Sequence, residues 1–261
     1  MSGIGRIQAA FAERSRRAAL MPYMMGGFPD LATSRAIAEA YAAAGSDLVE
    51  LGVPFSDPLA DGPVIHAAGT RALSHGVTTE DVLELAAWLS PRVPVVIMCY
   101  ANPVYARGAD AFVGALSRAG VCGLIVPDLP VEEAPALLER CDADGVALVP
   151  LVAPTTAGDR LEVIGSLARG FVYAVSLTGT TGERDALGGG LASMLARVKG
   201  HTDLPVAVGF GIATAEQAAG AAAAGADGVI VGTRLVRAAA EAEHPAAAVA
   251  ELLAALAAAL R

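Results

Sequence analysis

Leu48-Val49-Glu50-Leu51-Gly52-Val53-Pro54-Phe55-Ser56-Asp57-Pro58-Leu59-Ala60-Asp61-Gly62-Pro63 is a short apolar run with one acid set into it, closed by Gly52 and Pro54. A turn-rich loop follows, and it carries Asp57 and Asp61. Three acids within twelve residues, on the trailing end of an apolar strand, are not core material. A buried charge is costly unless something pairs with it or uses it.

The apolar run is one instance of a phrase that recurs along the chain. A small, Ala-rich helical stretch ends in Gly or Asp-Gly, and four to seven apolar residues follow, beginning at Gly45, Gly120, Gly145, Gly170 and Gly228. The Gly is read as a helix cap in the left-handed conformation. Each run is too short for a helix and too uniformly apolar for a half-exposed strand, so it reads as a parallel strand buried on both faces. With three further runs after prolines or turns, the pattern predicts eight strands near 19–25, 47–52, 94–100, 123–127, 147–153, 171–177, 205–210 and 228–232. Helical patterns lie between them near 31–44, 62–74, 78–90, 108–119, 131–143, 157–168, 189–199 and 214–224. Residues 3–17 predict an extra helix at the start, and the tail from Thr233 predicts two helical pieces around Pro245. The fold class is α/β, and eight strand–helix units predict a single (β/α)8 TIM barrel with an extra N-terminal helix, one domain over residues 1–261. An open doubly wound sheet is the alternative, but no Gly-x-Gly-x-x-Gly follows the first strand.

Composition narrows the classes. The chain has 261 residues, 54% hydrophobic and 17% charged, and a formal net charge of −9, which argues against a nucleic-acid partner. No apolar run reaches the ~18 residues of a membrane span, and no secretory segment opens the chain. Cys99, Cys122 and Cys141 are widely spaced, neither a disulfide framework nor a zinc pattern, and suit a reducing cytoplasm. No His-x-x-His or acid–His cluster suggests a metal. Lys199 is the only lysine and ends a helix away from the barrel mouth, which argues against a Schiff-base aldolase.

In a (β/α)8 barrel the chemistry lies at the C-terminal ends of the strands. Glu50 is near such an end. Turned inward, it would lie in an apolar well where desolvation raises its pKa toward neutrality; turned outward, it would pair or cap. Asp61 could fold over the same mouth and accept a hydrogen bond from a substrate, or it could cap the helix that begins near Pro63. Asp57 reads as a loop-shaping or partner-facing acid. The late strand ends, Thr178–Gly182, Gly209–Ala213 and Gly232-Thr233, are small residues with bare backbone N–H groups, and the last two are read as leading directly into helices. That pattern predicts a phosphate site, against the plainer reading of tight turns. Tyr23, Ile65, Met98, Tyr100, Leu124, Tyr173 and Phe210 could line a pocket for a flat apolar ring, or simply pack the core.

The residues from Leu48 to Gly62 resemble the signature of the tryptophan synthase alpha subunit. The likeness extends through Met21–Tyr23, Tyr100–Pro103, Pro127–Pro130, Gly179–Gly182, Gly209–Ile212 and Gly232-Thr233. The resemblance implies a barrel that cleaves indole-3-glycerol phosphate to indole and glyceraldehyde 3-phosphate in tryptophan biosynthesis. It implies Glu50 as the acid–base residue and Asp61 as the partner of the indole N–H. Gly182, Gly211, Gly232 and Thr233 would bind phosphate, and Tyr23, Tyr100, Tyr173, Thr181 and Phe210 would surround the indole. It further implies an α2β2 assembly with a beta subunit that docks on Asp57-Pro58, Asn102-Pro103 and Asp128. No cofactor is expected in this chain; pyridoxal phosphate is expected only in the beta partner. Residues 178–187 would close over the substrate.

The sequence departs from the family pattern at Met25, where Thr is usual, at Leu177-Thr178 and Thr180 in the closing segment, and at Thr233, which keeps the hydroxyl of the usual Ser. Alternatives to the lyase are a phosphate-binding barrel of sugar-isomerase type, a non-catalytic barrel that activates a partner, and a stand-alone indole producer.

Overall fold

The strands are apolar on both faces because each is sandwiched between a packed barrel interior and a ring of helices. The computed structural model describes residues 1–175, 190–209 and 211–261. The strands are β1 (Ala19–Met25), β2 (Val49–Gly52), β3 (Val95–Met98), β4 (Gly123–Ile125), β5 (Ala147–Val149), β6 (Leu151–Val152), β7 (Val172–Val175), β8 (Val206–Gly209) and β9 (Gly228–Val231). Before β3 the helices are α1 (Gly3–Ala12), α2 (Leu31–Ala43), α3 (Pro63–Ser74) and α4 (Thr79–Leu89). Then come α5 (Ala101–Arg107), α6 (Ala109–Arg118), α7 (Ala134–Asp144), α8 (Gly158–Leu167), α9 (Leu191–Lys199), α10 (Ala215–Ala223), α11 (Thr233–Glu241) and α12 (Pro245–Ala259). All strand pairings are parallel, in the order β5-β4-β3-β2-β1-β9-β8-β7-β6.

The two ends of that order are consecutive in the chain. β5 pairs with β4, β6 pairs with β7, and Pro150 stands between them. The single strand expected over 147–153 is therefore divided at a residue with no N–H to give. Its carbonyl still accepts from Tyr173 N at 3.0 Å, so the kinked strand closes the (β/α)8 barrel.

An inner apolar shell, which includes Met21, Leu48, Val96, Phe171, Tyr173 and Ile230, fills the barrel. α1 stoppers its N-terminal end: Ile7 and Phe11 belong to that shell, and Phe11 meets Phe171 at 5.7 Å between ring centres. The expected first helix, 3–17, stops at Ala12, because residues 13–18 run back to the barrel wall. There Arg16 bonds Asp47 at 2.9 Å and Arg17 N bonds Leu260 O at 2.7 Å. Replacing the fully buried Ile7 by Ala is expected to cost about 2–5 kcal/mol, read as a lower urea midpoint with unchanged slope.

The helix-ending glycines Gly45, Gly120, Gly145 and Gly170 have φ between 69° and 74°, as expected of left-handed caps. Gly228 does not. It is a β9 residue whose inward face is filled by Met21 Sδ, 2.7 Å from where a Cβ would sit, and the left-handed residue of that turn is Gly225 (φ 100°). Residues 101–107, read as loop, form α5. Its capping acceptor lies 27 residues away, in Asp128 Oδ1, 2.8 Å from Ala101 N. Among the described residues, no helix is long and apolar enough to cross a membrane.

Candidate active site

β2 alternates, and Leu48 faces the barrel interior, so Glu50 does too. Its register partners are Val96 of the inner shell on one side and Tyr23 on the other. The carboxyl is 2% exposed, and its Oε2 has no hydrogen-bond partner among the described residues. Burial, with a smaller push from the Asp61 charge, raises its pKa from 4.5 to about 8. A carboxyl in a dry well with an unsatisfied oxygen is a poor structural element and a good proton donor at neutral pH. The outward alternative does not hold.

Asp61 approaches from the loop after β2. The cap of α3 is Gly62, with no side-chain bond, so Asp61 does not cap that helix. Its carboxyl instead stands near the Tyr100 hydroxyl. Burial raises its pKa, opposed by the nearby Tyr100 hydroxyl and by the neighbouring His66. Tyr100 also accepts from Ala60 N at 3.0 Å, and its ring stacks on Phe55 at 5.3 Å and 28°.

Tyr23 and Tyr173 lie across the mouth. A methyl group on Gly52 would overlap Tyr23 Oη, and one on Gly209 would overlap Tyr173 Oη. Glycine at these two strand ends leaves room for two phenols on the inner face. Burial, reinforced by the charge of Glu50, keeps both neutral. Ile65 is buried nearby on α3, and Met98 is half-buried at the end of β3. Leu124 does not line the mouth: Gly123 faces the interior, against Ile7 and Val96, so the next residue points out to the helix layer.

The glycines of the late loops differ from one another. Gly211 (φ 89°) needs glycine for its backbone, but it does not lead directly into a helix. Two residues separate it from Thr214, whose side chain and that of Gln217 cap α10 reciprocally. Gly232 does lead into a helix. α11 starts at Thr233 with no side-chain cap, so its first N–H groups are open to a ligand. A Cβ on Gly232 would lie 3.5 Å from the Tyr23 ring, so this open end adjoins the pocket. β9, β1 and β2 are neighbours, which puts the open helix end and Glu50 roughly 10 Å apart, two strand spacings. Gly182, Thr181, Phe210 and the closing segment 178–187 lie outside the described residues.

Asp57, Asn102 and Asp128 are exposed, and Pro58 and Pro103 half-buried, on the loop after β2, on α5 and on the loop after β4. The sequence reading missed two large apolar neighbours there, Leu59 (84% exposed) and Tyr105 (49% exposed). It also missed Phe55 and His66. Their contacts are tertiary, and nothing in their spacing announces them. At the opposite end, Lys199 pairs with Asp227 at 2.7 Å, and the same carboxylate accepts from Val206 N at the start of β8. The lysine is thus committed to the barrel base. No group of His, Cys, Asp and Glu able to hold a metal occurs among the described residues.

The family model described as "Tryptophan synthase alpha chain" matches residues 9–260. The alpha chain of Carboxydothermus hydrogenoformans is 50% identical over 240 residues, covering 90% of this chain and 88% of that one. That of Methanosarcina mazei is 49% identical over 222 residues, 85% and 81% of the two chains. Among solved structures, Mycobacterium tuberculosis tryptophan synthase aligns with a TM-score of 0.88 at 39% identity, over 99% and 96% of the chains. The tryptophan synthase α2β2 complex of Pyrococcus furiosus aligns with a TM-score of 0.87 at 34% identity, over 93% and 99%.

Proposed function

The chain belongs to the tryptophan synthase alpha chain family, a family of lyases that cleave indole-3-glycerol phosphate, and from that premise we propose how its residues divide the reaction. The observation that carries the reading is the buried carboxyl of Glu50, with its Oε2 lacking a hydrogen-bond partner among the described residues, within electrostatic range of Asp61. Near pH 7 Glu50 is a neutral acid in a water-poor well. It gives its proton to indole C3, and positive charge develops on the ring nitrogen. The Asp61 carboxylate accepts the ring N–H and stabilises that charge. Glu50, now ionised, takes the proton of the glycerol hydroxyl. The C–O bond becomes a carbonyl as the C3–glycerol bond breaks, and its electron pair restores the indole. One carboxyl serves both proton transfers, which requires a pKa near the working pH.

The open end of α11 at Gly232-Thr233 holds the phosphate, with Gly211 beside it; Gly182 would complete the cradle. N–H groups and the helix dipole favour the anion there. Tyr23, Tyr100 and Tyr173, with Thr181 and Phe210, surround the ring. The beta subunit docks on Asp57-Pro58, Asn102-Pro103 and Asp128, where exposed Leu59 and Tyr105 supply apolar area, in an α2β2 assembly. Pyridoxal phosphate belongs to that partner. We place the whole chain in one cytoplasmic barrel domain.

The test is indole release from indole-3-glycerol phosphate by the purified chain, alone and with a beta subunit. Activation of the beta subunit without any indole release would instead favour a non-catalytic barrel. Gly232→Asp, which sets a negative charge at the helix end, is expected to raise KM about tenfold, ~1.4 kcal/mol, and to change kcat less. The pH profile of kcat/KM should be bell-shaped. Activity falls as pH rises through about 8, where Glu50 loses the proton it must give. It falls again at low pH as Asp61, its pKa raised by burial, becomes protonated.

A further inference from the structure

We propose that Tyr100 is the positioning residue for Asp61, fixing the loop that carries this acid against the barrel mouth as well as bounding the ring pocket. The inference rests on the role given to Asp61 above.

Tyr100 holds the loop at two points, and its hydroxyl lies close enough to the Asp61 carboxyl to lower the pKa of that acid. The same oxygen accepts from Ala60 N at 3.0 Å, the amide immediately before that acid. Its ring stacks on Phe55, five positions earlier in the same loop, at 5.3 Å. Apart from these contacts, the loop is weakly anchored: Ser56 and Asp57 are exposed, and Leu59 is 84% exposed. Tyr100 is itself held firmly. It is 3% exposed and sits at the N-cap of α5, whose next amide, Ala101 N, is bound by Asp128 Oδ1 at 2.8 Å. A loop acid that would otherwise swing with its loop is tied to rigid secondary structure. Positioning of this kind matters because small displacements of a reacting or stabilising group cost large factors in rate.

Among the described residues, the groups that face Asp61 are Glu50 from β2, Tyr23 from β1, Tyr100 before α5 and His66 from α3. Of these, the Tyr100 hydroxyl and, more weakly, His66 favour the ionised carboxylate. Removing the Tyr100 oxygen therefore moves the Asp61 pKa upward.

Tyr100→Phe keeps the ring and its stacking and removes one oxygen, so it separates positioning from packing. In the full-length chain it is expected to lower kcat about tenfold with KM within twofold of the parent, and to shift the acid limb of the pH profile to higher pH. A Tyr100→Phe/Asp61→Asn double variant should be no slower than Asp61→Asn alone. A Tyr100→Phe variant with parental kcat and an unmoved acid limb would overturn the proposal, and so would losses that multiply in the double variant. Carboxyl-carbon NMR titration of Asp61 in the parent and in Tyr100→Phe provides a readout independent of turnover. An upward shift supports the assignment even if the parent releases no indole, in which case the lyase reading fails by itself; an unchanged titration refutes it.

Discussion

Replacing Glu50 by Gln is expected to lower kcat for indole release by roughly 10³-fold, while KM changes little. The amide fills the same volume in the same inward position, but it can neither give a proton to indole C3 nor take one from the glycerol hydroxyl. Steady-state assays with indole-3-glycerol phosphate decide the matter, and near-normal turnover would rule out the assigned chemistry. The variant carries a second signature, in stability. Glu50 has its pKa raised from 4.5 to about 8 on folding. Below pH 4.5 the group is protonated in both states, and the stabilisation of the neutral form is fully present. Between 4.5 and about 8 the unfolded chain ionises while the folded protein keeps its proton, so this stability is lost at about 1.4 kcal/mol per pH unit. Gln has no proton to lose. Glu50→Gln should therefore become progressively more stable than the parent from pH 5 to pH 8 in urea titrations. A stability difference that stays constant across that range would mean the carboxyl is not desolvated as described.

Asp61→Asn is expected to cost about 10²–10³ in kcat, the loss seen when one preorganised group is withdrawn from a developing charge. The amide can still contact the ring nitrogen, but it no longer opposes the positive charge there. Because the Asp61 carboxylate raises the pKa of Glu50, its removal should also move the basic limb of the profile to lower pH. The two effects come from one charge and should appear together. A large loss of rate with an unshifted basic limb would place Asp61 too far from Glu50 for the proposed pairing.

Activity and stability are opposed at Glu50. A desolvated carboxyl with an unsatisfied oxygen destabilises the folded state, and the same desolvation gives it a pKa suited to two proton transfers. The surrounding layer tolerates it because the strands on either side, β1 and β3, are apolar through both faces.

The barrel was legible because its signal is local and repeated. An apolar run after a helix-ending glycine needs no distant information to be read as a buried parallel strand, and an acid inside such a run is conspicuous. Glu50 was therefore visible as a candidate, although its direction was not. The division at Pro150 could be anticipated from proline chemistry, but its use as the barrel seam could not, since β4 and β7 compete for the two halves of one strand. α5 was invisible because the acceptor at its start comes from Asp128. Leu124 was misplaced because a run apolar on both faces does not reveal which residues point inward.

By itself, the order of residues determined the strand–helix alternation, the acid on the second strand, the glycine-rich late loops and the family likeness. All of these depend on backbone preferences and on apolar periods shorter than one helix. Tertiary structure decided that Glu50 points into the well, that the loop of Asp61 is held by Tyr100 while Asp61 does not cap α3, and that α11, not α10, presents an open N-terminus. Those outcomes depend on which side chains reach a polar group first across distances the chain spans only once it is closed. A carboxylate or an amide takes the partner that folding brings to it, and its neighbours in sequence do not specify that partner.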